Sequence, residues 1–276
     1  MSHREKLAFL DRKDRHISLT RQCELLEISR ASAYYQPVVD ETDSVIMGYI
    51  DKIFTDYPFY GSRRIRYELR ETYQIVVARN HVQRLLRLMG IEAIYPKAKP
   101  NTSQPNIQHR KYPYLLSGLP IIRPNQVFGT DITYVKLETG WAYLVAFIDW
   151  FSRYVVSWEL SPTLEIEFCL AARDQALQIA IPEISNSDQG SHFTSEQFLT
   201  PLLEKNVQIS MDGRGRCMDN IFTERLWRTV KYENIFLKSY RNIAEAKTGL
   251  TEYFQFYNHK RPHQSLDYRT PTELYH

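Results

Sequence analysis

Apolar residues recur three and four positions apart through most of the first ninety residues, and from residue 125 onward they gather into short β-branched and aromatic runs. The first spacing predicts helices and the second predicts strands. ISLTRQCELLEISRASAYYQP (17–37) has the look of a helix-turn-helix. Thr20 caps a helix through Leu26, a tight turn follows, and Ser29 or Ser32 starts a second helix that ends before Pro37. Arg21 and Arg30 flank the turn. In such motifs the second helix lies in the major groove of DNA; a plain helical hairpin would read the same way. Residues 43–93 form a second helical module, with DSVIMGYIDKIFTDYP, YGSRRIRYELRETY and VARNHVQRLLRLMGI as its three helices. Ser62 is a plausible cap of the middle helix, and Gly90 stands just past the end of the third. Residues 94–124 are rich in proline and polar residues with almost no periodicity, which predicts a linker or an extended arm.

The texture then changes. QVFGTDITYVKL, WAYLVAFIDWF and RYVVSWEL read as three consecutive antiparallel strands. LEIEFCLAARDQALQIA is a helix, EISNSD a short strand, TSEQFLTPLLEKN a helix despite Pro201, VQISM a strand, and DNIFTERLWRTVKYENIF a long amphipathic helix. The order βββαβαβα predicts an α/β layered domain over 125–240, followed by a C-terminal helix and tail over 241–276. Residues 1–42 are then a helix-turn-helix-like segment, 43–93 a helical DNA-binding module and 94–124 the linker.

Charge sharpens this division. The 276 residues carry a net charge of +3. Residues 1–125 hold 20 Lys and Arg against 13 Asp and Glu, a net of +7, whereas 126–276 hold 15 against 19, a net of −4. A basic front half joined to an acidic back half suits a polyanion-binding region on a different kind of module. Arg63, Arg64, Arg66 and Arg70 on one helix favour contacts to phosphates over a place in a core. The longest apolar run, YLVAFIDWF (143–151), is interrupted by Asp149 and is too short to span a bilayer. The N-terminus has no apolar signal core, so a cytoplasmic protein with no membrane partner is expected. Cys23, Cys169 and Cys217 are few, odd in number and widely separated, which supports neither a disulfide framework nor a zinc site.

The candidate chemistry lies in three carboxylates. Asp131 sits within the apolar strand FGTDITYV, where a charge is costly unless it is paired or bound to a cation. Asp188 follows the short strand in NSDQGSHF, and Glu224 lies near the start of the long helix in DNIFTERLW. Fifty-six residues separate Asp131 from Asp188, and thirty-five separate Asp188 from Glu224. Mg²⁺ takes hard oxygen ligands, and two such ions can activate the attacking oxygen and stabilise the leaving oxygen of an in-line phosphoryl displacement. Asn220, Glu224, Arg228 and Lys231 share one helix face, so the carboxylate would meet metal while its neighbours meet DNA. Asp219 fits better as the N-cap of that helix. Asp149, on the second strand, is a rival for Asp131. His192, His259 and His263 are not expected to bind metal, and His259, Lys260, Arg261 and His263 read as a polar tail touching DNA or the protein surface. Trp227 and Tyr232 read as core packing, and Cys217 as a small buried filler.

TDITYV, SDQGSHFTS and GRGRCMDNIFTERLWRTVKYE, followed by FYNHKRPHQSLDYRTPTELY, resemble the integrase-core transposases of bacterial insertion sequences. They look most like the downstream-frame (OrfB) protein of the group whose prototype is insertion sequence 3, in the DDE superfamily. The likeness covers nearly the whole chain and includes Lys231, seven positions after Glu224. It implies a ribonuclease H-like integrase core, a mixed five-stranded sheet flanked by helices, with Asp131 on the central first strand, Asp188 just after the fourth, and Glu224 on the last core helix. It also implies Mg²⁺ or Mn²⁺, two ions per site, bound by Asp131, Asp188 and Glu224, with strand cleavage followed by attack of the freed 3′-OH on a target phosphate. The implied partners are double-stranded DNA (the element's terminal inverted repeats and the target), further copies of the chain on that DNA, and an upstream-frame (OrfA) fusion partner. The implied location is the bacterial cytoplasm, with the nucleoid. Lys231, Arg228, Asn220, Arg63, Arg64, Arg66, Arg21 and Arg30 are the candidate DNA contacts. Phe128, Asn186 and His192 depart from the family's usual tryptophan, histidine and glutamine, and none of these changes removes a carboxylate. A DNA-binding regulator without catalysis and a ribonuclease H-type nuclease are the competing readings.

Overall fold

The computed structural model describes residues 3–12, 14, 16–34, 41–94, 112–212 and 220–276. The chain divides into two compact units, one ending at Tyr49 and one spanning Ile50–His276. In the first unit α1 (His3–Ala8), α2 (Leu19–Leu25) and α3 (Arg30–Tyr34) gather around Cys23, Ile28 and Ala33. The residue that caps α2 is Ser18, not Thr20; its side chain accepts from the Arg21 amide. Ser18 holds the extended φ/ψ that lets an Oγ reach back to the first turn, whereas Thr20 is already inside the helix. Glu27, at φ 53, closes the turn, and Ser29 Oγ accepts from the Ser32 amide at the start of α3.

α4 (Glu41–Asp56) buries Ile46, Ile50 and Ile53 on one stripe. α5 (Ser62–Glu71) and α6 (Arg79–Leu88) pack through Ile65, Leu69, Val82 and Leu85, all fully buried. The cap of α5 is Gly61, with no side-chain bond; Ser62 is already the first helical residue. Gly90 follows α6 at φ 67, as its place beyond the helix end requires. Residues 112–124 form no helix or strand, but Leu116 is buried against the sheet with Tyr114 and Leu115, so this half of the proline-rich stretch is core rather than free arm.

The sheet has the order β3-β2-β1-β4-β5, built from β1 (Val127–Leu137), β2 (Gly140–Asp149), β3 (Val155–Ser161), β4 (Ile184–Ser187) and β5 (Gln208–Met211). β1, β2 and β3 are antiparallel neighbours; β4 and β5 run parallel to β1. Alternation along β1 sorts its side chains. Phe128 and Ile132 face α7 (Glu167–Ile179) and α8 (Glu196–Glu204), while Val127, Val135 and Leu137 face α9 (Ile221–Val230) and a later helix, α11 (Ile243–His259). The result is a mixed five-stranded sheet between two helical layers, the layered α/β domain that the order of elements predicts and the ribonuclease H-like architecture that the resemblance implies.

Three local features carry physical information. Pro201 lies inside α8 and has no amide proton for the Gln197 carbonyl one turn back; Arg173 of α7 supplies donors to Gln197 O and Phe198 O instead. The long helix predicted over 219–236 is not continuous. α9 gives way to a π turn, Lys231–Ile235, before a last α-turn, α10 (Phe236–Lys238). The widened turn brings the adjacent polar residues Glu233 and Asn234 inward together, where Asn234 accepts from the Tyr240 hydroxyl. Gly129, on β1, lies under Trp150 and Thr223; a Cβ there would overlap Trp150 Nε1 and stand 2.8 Å from Thr223 Oγ1. Gly129→Ala should therefore cost about 1–3 kcal/mol by overpacking, read by urea unfolding as a lower midpoint with an unchanged slope.

α11 (Ile243–His259) is capped by Asn242, and the chain ends with a short 3₁₀ turn, Gln264–Leu266, and α12 (Pro271–Tyr275), which opens with a Thr270/Glu273 capping box. The expected polar tail is in part core. Arg261 and His263 are 5% and 7% exposed, and Tyr275 donates to Asn125 Oδ1. Cys23 and Cys169 are buried free thiols, and Cys217 and Asp219 lie outside the described residues. Among the described residues, no helix is long and apolar enough to cross a membrane.

Candidate active site

Asp131 occupies the middle of β1 on the face that meets α9. Its Oδ1 accepts from the Ile132 amide at 2.8 Å and its Oδ2 from Trp227 Nε1 at 2.9 Å. The register of β1 with β4 runs from Val127↔Ile184 to Gly129↔Asn186. Extended by two residues, it sets Asp188 beside Asp131 at the point where β4 ends. Sheet order therefore brings together two carboxylates with fifty-six residues between them in sequence.

Their electrostatics agree with this placement. Burial, and then the charge of Asp188, push the Asp131 carboxyl up to about 7, against the pull of the Ile132 amide and the Trp227 indole. Desolvation raises Asp188 as well, opposed by the Gly190 amide on its Oδ1 at 2.9 Å and by His192. A Cβ at Gly190 would stand 2.8 Å from that oxygen, so a larger residue would turn the Asp188 carboxylate aside. Two hard-oxygen donors side by side, raised by burial and, at Asp131, by its neighbour's charge as well, are a donor set that suits a divalent cation, whose charge would offset both.

Glu224 is exposed near the start of α9, and its carboxyl is raised by desolvation alone. Among the described residues no three His, Cys, Asp or Glu side chains come close enough to hold a metal together. The helix that carries Glu224 is nevertheless tied to the aspartates on both sides of it. Asn220, four residues before, donates to Thr130 O at 3.4 Å; Trp227, three residues after, donates to Asp131. Both anchors end on adjacent residues of β1. The segment 213–219 that leads into this helix lies outside the described residues.

The other expected contacts are divided. Asn220 is 6% exposed and accepts from Thr223 Oγ1, so it joins α9 to β1 and is closed to DNA. Arg64 pairs with Glu233 at 3.0 Å and Arg63 donates to Gln264 Oε1 at 3.2 Å. Arg66 and Arg228 are exposed, Lys231 is half-buried, Arg21 pairs with Glu24, and Arg30 lies over Tyr34. Asp149 is fully buried and accepts from the Ser152 amide and hydroxyl and the Asn125 amide, which makes it a turn anchor. His192 lies against Leu164 O and His259 against Thr272.

Two residues near the aspartates escaped the sequence reading. Trp227 packs in the core as expected but also holds Asp131. Asp212 directly follows β5, raises Asp131 and accepts from Asn186 Nδ2 at 2.8 Å. A signal for Asp212 existed, since VQISMD ends a strand on an aspartate as EISNSD does. None existed for the indole.

Models of known families match most of the chain: an integrase core domain over residues 122–217 and again over 205–271, and an HTH-like domain over 41–99. The chain is 31% identical over 230 residues to the transposase for insertion sequence element IS904 of Lactococcus lactis subsp. lactis (strain IL1403), covering 78% of this chain and 87% of that one. It is 30% identical over 228 residues to the transposase for insertion sequence element IS629 of Shigella sonnei, covering 81% and 76%. Among solved structures, a magnesium complex of the HTLV-2 integrase catalytic core domain matches 56% of this chain and 99% of that one at 20% identity and a TM-score of 0.47. An integrase core preceded by an HTH-like domain, at this similarity to relatives over most of their length, places the chain in the insertion-sequence transposases of the group whose prototype is insertion sequence 3.

Proposed function

We propose that this transposase cuts and joins DNA at Asp131, Asp188 and Glu224, with two Mg²⁺ ions held among the three. The observation that supports this best is the side-by-side placement of Asp131 and Asp188, with the Glu224 helix fastened to Asp131 through Trp227. Bound divalent ions would activate water or a 3′-OH and stabilise the leaving oxygen. The chain's own part is to hold its carboxylates close together and oriented, and a bound cation would offset the burial that favours their protonated forms. Trp227 fixes the rotamer of Asp131, Gly190 fixes that of Asp188, and the Asn220 and Trp227 anchors fix the height of Glu224 along the helix. No serine or tyrosine nucleophile is needed for such a displacement. Arg228 and Lys231, beyond Glu224, would meet the backbone of the cut strand, and Arg66 that of the bound end. Two ends are joined in one reaction, so the DNA-bound form is a multimer, with the upstream-frame protein as a fusion partner.

The test is nicking and joining of a labelled duplex carrying the native element's end, in Mg²⁺, in Mn²⁺ and in EDTA. Cleavage and joining with either metal and none in EDTA is the expected result. A preference for an RNA–DNA hybrid over the element end would replace this reading by that of a ribonuclease H. Duplex binding without cleavage in either metal, with the upstream-frame protein present, would replace it by that of a regulator. Trp227→Phe should slow nicking about 10- to 100-fold, as loss of a group that orients a metal ligand does, while the apolar packing of the ring is kept. Equal rates for the two proteins would reduce the indole to a packing group.

A further inference from the structure

A cavity of about 390 Å³ opens beside α9, on residues the proposed reaction does not use. Its lining includes Arg64, Arg153, Arg225, Arg261, Gln264 and Ser265, so four guanidinium groups share one small space. Their counter-charges are few. Glu233 serves two of them at once, with Arg261 at 2.6 Å and Arg64 at 3.0 Å. Asp149 attracts Arg153, but its carboxylate oxygens are already engaged by Ser152 and Asn125. His263 adds no charge, because its Nε2 faces Arg261 Nη1 at 3.1 Å, and burial together with Arg261 holds its pKa well below the usual value.

Arg153 carries the argument further. Its guanidinium carbon lies over Phe222, 3.4 Å from the ring centroid, and its Nη1 is buried with no hydrogen-bond partner among the described residues. Burial lowers its pKa to about 10. A desolvated cation with an unused donor is costly unless an anion completes it. A guanidinium fork matches the oxygens of a phosphate, and Ser265 and Gln264 offer neutral polar groups in the same space.

The cavity also has a direction. A second cavity, of about 400 Å³, shares Arg64, Thr229, Arg261 and Gln264 with it and continues to Arg63, Arg79 and Arg228. Together they form one basic trough from α5, in the HTH-like domain, to α9. Arg225 is the residue next to Glu224, so the trough begins one step around the helix from the proposed cutting site.

We infer that this cavity is a binding site for a backbone phosphate of DNA, held by Arg153, Arg225 and Arg261, and that the C-terminal segment YNHKRPHQSL builds it. The inference rests on the transposase reading and adds a phosphate subsite to it. Arg225 is exposed, so it can be replaced without threatening the fold. The test uses fluorescence anisotropy of the full chain with two labelled duplexes, one carrying the element's end and one of unrelated sequence, across a salt series. Arg225→Gln should weaken both duplexes alike, by roughly three- to tenfold, and lower the slope of log K against log salt by about one. Arg225→Lys should restore the slope and only part of the affinity. Inorganic pyrophosphate should raise the melting temperature of the wild type more than that of Arg225→Gln. If Arg225→Gln leaves slope and affinity unchanged on duplexes that the wild type binds, the phosphate site is wrong and the transposase reading stands. A loss confined to the element's end would mean base readout in place of a phosphate contact and would also overturn the proposal. A wild-type chain that binds neither duplex, alone or with the upstream-frame protein, would overturn both readings.

Discussion

Asp131→Asn should abolish strand nicking and joining, by about a thousandfold, and at the same time make the metal-free protein harder to unfold at pH 8. The two effects have one cause. The Asp131 carboxyl is held up to about 7 by burial and by Asp188, from an ordinary value of 3.8. A carboxyl raised on folding contributes stability that is fully present below its unfolded pKa and is lost as pH rises through the folded pKa. A tenfold change in a protonation equilibrium is worth about 1.4 kcal/mol, so at pH 8 the metal-free protein carries a cost on the order of 2–4 kcal/mol. Asparagine removes that charge. It cannot keep both acceptors, one for Ile132 and one for Trp227, and the lost bond takes back about 1 kcal/mol. The variant should therefore match or trail the wild type at pH 4 and exceed it by about 1–3 kcal/mol at pH 8 in EDTA. Added Mg²⁺ should close the gap by stabilising the wild type alone. Urea unfolding at the two pH values, with and without metal, reads all of this. A variant less stable than the wild type at pH 8 in EDTA would mean that burial and Asp188 do not raise the Asp131 carboxyl as described.

The second large effect is one of stability. Glu233→Ala should destabilise the protein by about 3–5 kcal/mol, which lowers the melting temperature by roughly 10 °C for a chain of this size. Glu233 accepts from Arg261 Nε and Nη2, both at 2.6 Å, from Arg64 Nη1 at 3.0 Å and from the Tyr253 hydroxyl at 2.9 Å. Burial by itself would raise its carboxyl, but the charges and hydrogen bonds of Arg261 and Arg64 outweigh that and hold it below the usual range. Its contribution is thus present above the ordinary glutamate pKa and is lost as pH falls through the lower, folded value. Removing it leaves Arg261 buried against an uncharged neighbour, the costly case for an ion pair. It also removes the ion pair by which Arg64 of α5 joins the network. Replacing Arg64 alone should cost less, because Glu233 keeps Arg261. A Glu233→Ala variant that unfolds with the wild type would show the network to be redundant.

Much of the fold was legible in the sequence. The run of three strands, the helix after them, the two short parallel strands and the helix that bears Glu224 all stand where periodicity and turn residues set them. The errors were local and have local causes. Thr20 and Ser62 are good capping types next to better-placed residues, and a cap is decided by one φ/ψ pair that a pattern cannot supply. The π turn at Lys231–Ile235 is invisible to a periodic reading because it changes the period for a single turn. The tail read as a polar segment touching DNA or the protein surface because HKRPHQ is polar, yet Arg261 is buried on a partner, Glu233, 28 residues before it, and His263 is buried against Arg261. The pattern for one segment cannot register an ion pair supplied by another.

What the sequence by itself determined is the list of chemical groups: one carboxylate within a predicted strand and two near the ends of predicted elements, arginines along predicted helices, and an order of elements consistent with one layered domain. Those follow from residue type and short-range period, which are local properties. What only the tertiary structure decided is which groups meet. β4 pairs parallel with β1, and that pairing brings Asp188 to Asp131. α9 leans on β1 through Asn220 and Trp227, which sets the helix of Glu224 beside the aspartates without closing a three-carboxylate cluster. The C-terminal segment folds back on α9, which turns a polar tail into the wall of a basic cavity. Adjacency across a sheet or between layers depends on the packing of the whole chain, and hydrophobic packing is indifferent to the sequence distance it spans.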